Sequence, residues 1–235
     1  AFQRFLFARL LHRDMLLSRL GEPPLLALIR EQLVRERDLE REFYAEYRRY
    51  RETLIHALIE ANPAYPRTRG RLVRLAQKLL DRMIFVLFCE DMGQQIAYPP
   101  QLLRNRLVRL STEALDPDGG DAWEMLRRLF RRMDTGGPFD GQPLNRFNGG
   151  LFATDPELDE LELPNRAFFF PGQGGDEASL RSPQPNLLYF AANYNFGTTA
   201  DGRAITLYAL GRIFEQSITE LEALEAAQEG RPSLT

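Results

Sequence analysis

Arginine side chains form two groups whose spacing could bind an anion. Like charges on one helix face repel each other, and a partner such as DNA phosphate relieves that repulsion. The first group occupies positions i, i+1, i+4 and i+5 of a predicted helix, and the second lies on the helix before it. The two groups are Arg127, Arg128, Arg131 and Arg132, and Arg104, Arg106 and Arg109. One interpretation is contact with DNA phosphate, and the other is ion pairing with the chain's own acidic residues.

A run of carboxylates further along the chain could bind a metal ion. It consists of Asp155, Glu157, Asp159, Glu160 and Glu162. Hard cations also need a tight loop shaped by glycine, which this segment lacks. The pattern therefore favours a solvated acidic loop.

Residues for other catalytic chemistry are scarce. The two histidines, His12 and His56, are far apart, and Cys89 is the single cysteine, so the pattern argues against a zinc site. We find no Gly-x-Ser-x-Gly elbow, and the glycines of residues 172–175 lack the spacing of a phosphate-binding loop. The sequence therefore predicts no catalytic residue and no metal ligand in this chain.

Two short patterns could be mistaken for catalytic motifs. Asn62-Pro63-Ala64-Tyr65 is similar to the Asn-Pro-Pro-Tyr motif that holds a flipped adenine in adenine-N6 methyltransferases. No glycine-rich cofactor strand precedes it, and proline is common at helix ends, so we interpret it as the end of a long helix. Lys78 is the only lysine and has no carboxylate two residues before it, which argues against a metal-dependent nuclease core.

Composition limits the class of protein. The chain has 235 residues, 44% of them hydrophobic, and a net charge of −3, so any DNA contact must come from local patches. One cysteine within an apolar run indicates a buried thiol in a reducing compartment, and we expect a cytoplasmic protein. No apolar stretch is long enough to span a membrane, and the first residues do not resemble a signal peptide.

Apolar periodicity predicts a mainly α fold, a multi-helix domain with a Gly/Pro-rich irregular segment and a few short strands. Helices are predicted over residues 2–20, 25–61, 70–92, 99–110, 121–133 and 205–227. The helix over 70–92 is the most apolar and should lie at the centre of the core. We divide the chain into a helical core (1–135), an irregular segment (136–200) and a C-terminal helical segment (201–235).

The long second helix carries alternating charges and an aromatic stripe. Its arginines, including Arg51, alternate with acidic residues three and four positions away, which predicts a solvated face joined by ion pairs. The predicted buried stripe consists of Phe43, Tyr44, Tyr47 and Tyr50.

Four segments resemble type IIG restriction-modification enzymes and the related methyltransferases of phage-defence systems. They are LEREFY at 39–44 with Tyr47, AQKLLDRMIFVLFCEDMG at 76–93, FNGGLF at 147–152 and LGRIFEQS at 210–217. The third consists of Phe147, Asn148, Gly149, Gly150, Leu151 and Phe152. Its Asn-Gly-Gly sequence suits a tight turn with positive φ, held by aromatic residues on both sides.

That family combines a nuclease, a helical connector, an adenine-N6 methyltransferase and a target-recognition domain in one polypeptide. The resemblance implies that this chain is the connector, ending before the methyltransferase domain and itself inactive. S-adenosylmethionine and Mg²⁺ are expected only in the absent domains. The expected function is to position the flanking nuclease and methyltransferase domains and to contact the backbone of double-stranded DNA. The alternative is a protein–protein interaction scaffold without DNA contact.

Overall fold

The computed structural model describes residues 9–10, 12–17, 21–66, 68–114, 116–147, 149–170, 185–197 and 204–229. The helices are α1 (Arg13–Leu16), α2 (Pro24–Ala61), α3 (Arg69–Met92), α4 (Leu102–Glu113), α5 (Asp121–Thr135), α6 (Pro156–Asp159), α7 (Leu187–Asn193) and α8 (Leu207–Glu229). Short 3₁₀ helices cover Gly93–Ile96, Gly150–Phe152 and Asn165–Ala167. The predicted mainly α fold is confirmed.

Two short strand pairs interrupt the helices. Strands β1 (Gly137–Phe139) and β2 (Gln142–Leu144) form an antiparallel hairpin, in which Phe139 faces Gln142. Strands β3 (Asn195–Phe196) and β4 (Ala204–Ile205) pair in parallel. The irregular segment therefore contains strand fragments and short helices, as the loss of helical periodicity predicts.

Helix α3 lies at the centre of the core, as its apolar sequence predicts. Leu79, Met83 and Leu87 are fully buried, and α3 packs against α2, α4 and α8. Buried side chains from Phe43 to Ile213 belong to one continuous hydrophobic cluster around it. Phe85 of the same helix is only partly buried and packs against that cluster from outside.

Helix α2 ends where the Asn-Pro sequence predicts. The Asn62 side-chain amide donates to the carbonyl oxygen of Leu58 at 2.9 Å and to that of Glu162 at 2.9 Å. Its amide oxygen accepts from the backbone N–H of Glu162 at 3.0 Å. The interpretation of residues 62–65 as a helix end is confirmed, and the Asn62 side-chain amide is hydrogen-bonded to backbone groups.

Some helix boundaries differ from the predicted ones. Helix α4 begins at Leu102 instead of residue 99, because Gln101 adopts a left-handed backbone conformation with φ 55°. Helix α8 begins at Leu207 instead of residue 205, since Ala204 and Ile205 pair with β3. Most of the predicted first helix, residues 2–20, lies outside the described residues. None of the helices that the structure describes is long and apolar enough to cross a membrane.

Candidate functional site

Helix α5 is fixed with its arginine side outward. Its apolar side is buried through Ala122, Trp123, Met125, Leu126, Leu129, Phe130 and Met133. At its N-terminus, the buried Asn165 accepts from the backbone N–H of Ala122 at 3.0 Å. The indole N–H of Trp123 donates to the carbonyl oxygen of Leu161 at 2.7 Å. These contacts set the rotation of α5, so its polar residues must face solvent.

Three of the seven predicted arginines lie exposed on that outer side of α5. The side chains of Arg128, Arg131 and Arg132 make no hydrogen bond or ion pair with any residue that the structure describes. The Arg132 guanidinium lies close to the backbone of Gly137 at the start of the neighbouring hairpin. Among the described residues, none therefore forms an ion pair with these three side chains.

Arg127, the fourth member of that group, is used within the protein. It is partly buried, its guanidinium lies over the Trp123 ring at 5.6 Å from the centroid, and it donates to the carbonyl oxygen of Asp159 at 2.8 Å. Arg127 thus holds the 155–163 segment against α5, and its guanidinium is largely engaged within the protein instead of being available to an external anion.

Arg104 is held inside the protein as well. Its side chain is 15% exposed and forms ion pairs with Glu90 at 3.2 Å and Asp91 at 2.8 Å. It also donates to the carbonyl oxygens of Ala191 at 3.0 Å and Tyr194 at 3.4 Å. Arg104 therefore joins α3 and α4 to the end of α7.

Arg106 and Arg109 extend the exposed arginines of α5 to α4. Arg106 donates from Nε to the carboxylate of Asp140, in the turn between β1 and β2. Arg109 pairs with Glu113 at 2.8 Å on the same helix. The pKa of Asp140 lies below its usual range, because Arg106 donates to it and because Arg128 and Arg109 are also close. The two arginine groups therefore meet at this turn. We call Arg106, Arg109, Arg128, Arg131 and Arg132 the arginine surface.

The FNGGLF segment packs against α3 and α5. The Phe147 ring meets Phe85 edge to face at 5.5 Å between centroids, and Phe152 lies 5.9 Å from Phe130. Asn148 lies outside the described residues. The expected positive φ is wrong for the two glycines, since Gly149 has φ −125° and Gly150 starts a 3₁₀ helix without positive φ.

Arg82 of α3 fastens this segment to the core. Its guanidinium donates to the carbonyl oxygens of Leu151 and Ala153, both at 2.7 Å, and lies 5.5 Å from the centre of the Phe130 ring. Burial lowers the pKa of Arg82. The buried guanidinium is therefore stabilised mainly by backbone carbonyl groups and an aromatic face.

A buried polar cluster lies where α2, α3 and α8 meet. Tyr47 donates its hydroxyl to Asp81, and Gln77 donates to the same carboxylate oxygen at 2.8 Å. Arg51 donates to Gln77 at 3.2 Å and to Ser217 at 2.6 Å, and Ser217 donates to Gln77 at 2.7 Å. We call these five residues the central polar network.

Sequence reasoning missed this network. Arg51 was expected on the solvated face of α2, which is wrong, because it is 5% exposed and bonded to α3 and α8. The available signal was the pair Gln77 and Asp81, polar residues four apart on the helix that the apolar pattern placed at the centre of the core. Tyr47, Gln77, Asp81 and Ser217 also belong to three of the four segments that carry the family resemblance.

Two buried carboxyl groups on α3 have perturbed acidity. Burial raises the pKa of Asp81 to about 6, although the hydrogen bonds from Tyr47 and Gln77 oppose the shift. Burial raises the pKa of Glu90 to about 7, opposed by the backbone N–H of Leu103 and by Arg104. The Glu90 carboxyl group accepts from the backbone N–H of Leu103 in the first turn of α4, where the helix dipole favours negative charge.

The acidic run is only partly the solvated loop that the sequence favoured, since Glu160 and Glu162 are exposed whereas Asp155 and Glu157 are partly buried. Asp155 accepts from Lys78 at 2.8 Å, and Glu157 pairs with Arg71 at 2.6 Å and with the Tyr65 hydroxyl. Both carboxylates fasten the segment to α3 and to the end of α2. Among the described residues, no group of three or more His, Cys, Asp or Glu is arranged to hold a metal ion.

Comparison with known proteins identifies part of the chain. Neither a curated protein nor a solved structure matches it. A protein-family model, described as the helicase spacer domain of MmeI, matches residues 74–152. The match begins in α3 and ends at Phe152, so it includes Gln77, Asp81 and the whole arginine surface. Over residues 74–152 the chain is therefore similar to the helicase spacer domain of MmeI, a type IIG restriction-modification enzyme.

Proposed function

We propose that this chain is the non-catalytic spacer of a type IIG restriction-modification enzyme, which holds the flanking nuclease and adenine-N6 methyltransferase domains apart and contacts the DNA backbone. The family match supports the spacer role. The identity of the flanking domains and a phage-defence setting are what the resemblance of the four segments implies, and the proposed division at residues 135 and 200 rests on the loss of helical periodicity between them. S-adenosylmethionine and Mg²⁺ serve the flanking domains in this proposal.

The central polar network supports a positioning role. Arg51 of α2, Gln77 of α3 and Ser217 of α8 are bonded to one another and almost fully buried. If one helix slides or tilts against the others, a buried charge or hydroxyl loses its partner, which is unfavourable away from water. The three helices should therefore move as one rigid unit, as a spacer requires.

The observation that supports the DNA contact is the set of exposed arginine side chains on the outer side of α5. The side chains of Arg128, Arg131 and Arg132 are exposed and have no hydrogen-bond or ion-pair partner among the described residues. Guanidinium groups bind phosphate oxygens in a bidentate manner, so a DNA backbone would relieve the repulsion between these side chains. Phosphate contacts position a protein on DNA without reading its sequence, which fits a spacer.

Replacing the three arginines of α5 with glutamine in the full-length enzyme tests the DNA contact. Three lost phosphate contacts should lower the slope of log K against log salt by roughly 3 and weaken binding about equally for cognate and unrelated duplexes. The matched control replaces Arg35, Arg41 and Arg49 of α2, which are exposed and ion-paired with Glu31, Asp38 and Glu46. Unchanged affinity and slope in the folded α5 variant would refute the contact.

A protein–protein scaffold is the second candidate, and the first part of α2 favours it. Five large apolar side chains there are about half exposed: Leu26, Leu28, Ile29, Leu33 and Val34. An exposed apolar strip of this kind is typical of a protein-binding surface. The two candidates separate in the arginine experiment, since a scaffold without DNA contact would keep the wild-type salt dependence.

A further inference from the structure

The turn between β1 and β2 places a carboxylate inside the arginine surface. Asp140 and Gly141 are the two loop residues of the hairpin, with φ 49° and 76°. Asp-Gly is a favoured sequence for such a turn, because both residues must adopt positive φ. The Asp140 side chain accepts from Arg106 of α4, and Arg128 and Arg109 are close enough to lower its pKa.

The turn itself does not require the negative charge. The hairpin is held by backbone pairing and by the buried side chains of Phe139 and Leu144. Asparagine forms the same turn at least as well as aspartate and has nearly the same shape. The charge of Asp140 is therefore a separate feature, which turn formation does not explain.

The ion pair is weak enough for an external anion to exchange with it. The Arg106 and Asp140 side chains are 31% and 25% exposed, so water screens their attraction. A phosphate group makes the same kind of contact with a guanidinium as a carboxylate does. An external anion could therefore bind the Arg106 guanidinium only by displacing the Asp140 carboxylate.

We infer that Asp140 is an internal counter-anion that competes with DNA phosphate for Arg106 and so holds the affinity of the arginine surface below its maximum. This inference rests on the proposed DNA contact. It assigns Asp140 to the binding surface as the residue that sets its strength. Arg106 then contributes to DNA binding only when Asp140 releases it.

Asp140→Asn in the full-length enzyme tests the inference, with a short duplex of unrelated sequence as the probe. Binding should tighten roughly two- to fivefold, the range of an exposed ion pair, and the salt slope should steepen by roughly 0.9 for one added phosphate contact. In an Arg106→Gln background the same substitution should give little of this gain. Asp38→Asn on α2, where Asp38 accepts from Arg41, is the matched control and should change neither quantity.

The results separate the inference from the proposed function. If Asp140→Asn changes nothing while the α5 arginine variant weakens binding, the DNA contact stands and the inference is refuted. If neither variant alters binding, both are refuted. A gain that persists fully without Arg106 would also refute the inference, because it would come from the net charge alone.

Discussion

Replacing Ser217 with alanine and Arg51 with methionine, singly and together, measures how strongly the central polar network joins α2 to α8. The hydroxyl of Ser217 is fully buried and accepts from Arg51 at 2.6 Å, and the same hydroxyl donates to Gln77 at 2.7 Å. The alanine variant leaves one buried guanidinium N–H of Arg51 without its partner, while the amide oxygen of Gln77 keeps only the hydrogen bond from Arg51.

The expected magnitude follows from burial and charge. Removing the hydroxyl should lower the free energy of unfolding by roughly 1–3 kcal/mol, the penalty for leaving a buried polar group unpaired. The coupling energy of the double-mutant cycle should be roughly 1.5–3 kcal/mol, the range for a hydrogen bond to a charged group.

Chemical denaturation followed by circular dichroism gives the four unfolding free energies. The control is a cycle on Arg41 and Asp38 of α2, whose side chains are 80% and 62% exposed and whose coupling should be about 0.5 kcal/mol or less. If the Arg51–Ser217 coupling were no larger than the control coupling, the network would not join the two helices and the reasoning would be wrong.

Two further predictions concern the core. Because the pKa of Asp81 is raised to about 6 in the folded protein from an ordinary value of 3.8, its contribution to stability is fully present below pH ~4 and is lost as pH rises through about 6. The unfolding free energy of the wild type should therefore fall by up to about 3 kcal/mol relative to that of Asp81→Asn across that window. Chemical denaturation at several pH values measures both free energies, and if the two depended on pH in parallel, the pKa shift would be absent. Leu79→Ala should lower the unfolding free energy by roughly 2–5 kcal/mol because Leu79 is fully buried, whereas Leu33→Ala, at a site 48% exposed, should change it by less than about 1 kcal/mol. Equal effects of the two alanine variants in the same denaturation assay would show that α3 is not the core.

The helical architecture was predictable because it depends on local patterns. The apolar run of α3 and the Asn-Pro sequence after α2 act over a few residues, and the structure confirms both. The start of α4 was missed because the residue with the left-handed backbone conformation is Gln101, not the glycine that is typical of that conformation. The start of α8 was missed because β4 forms only by pairing with a strand elsewhere in the chain.

The site was less predictable, because it depends on which distant side chains meet. Spacing alone put Arg127 and Arg128 on one helix face, but only the fold shows Arg127 bonded to Asp159 and Arg128 exposed. The sequence pattern did not distinguish Arg51 from its exposed neighbours on α2, because its hydrogen-bond partners are distant in sequence, on α3 and α8. The segments that resemble the family did mark the junction, although no single segment indicated the contacts between them.

The proposed spacer role is tested most directly by the distance between the two flanking domains that it implies in the full-length enzyme. Spin labels, one on each flanking domain, give that distance as a distribution by pulsed electron spin resonance. We expect a narrow distribution in the wild-type enzyme and a broadened or shifted one in the Arg51→Met, Ser217→Ala variant, with Arg41→Met, Asp38→Ala unchanged. A broad wild-type distribution, or a narrow one that survives loss of the network, would contradict a rigid spacer built on the contact of α2, α3 and α8.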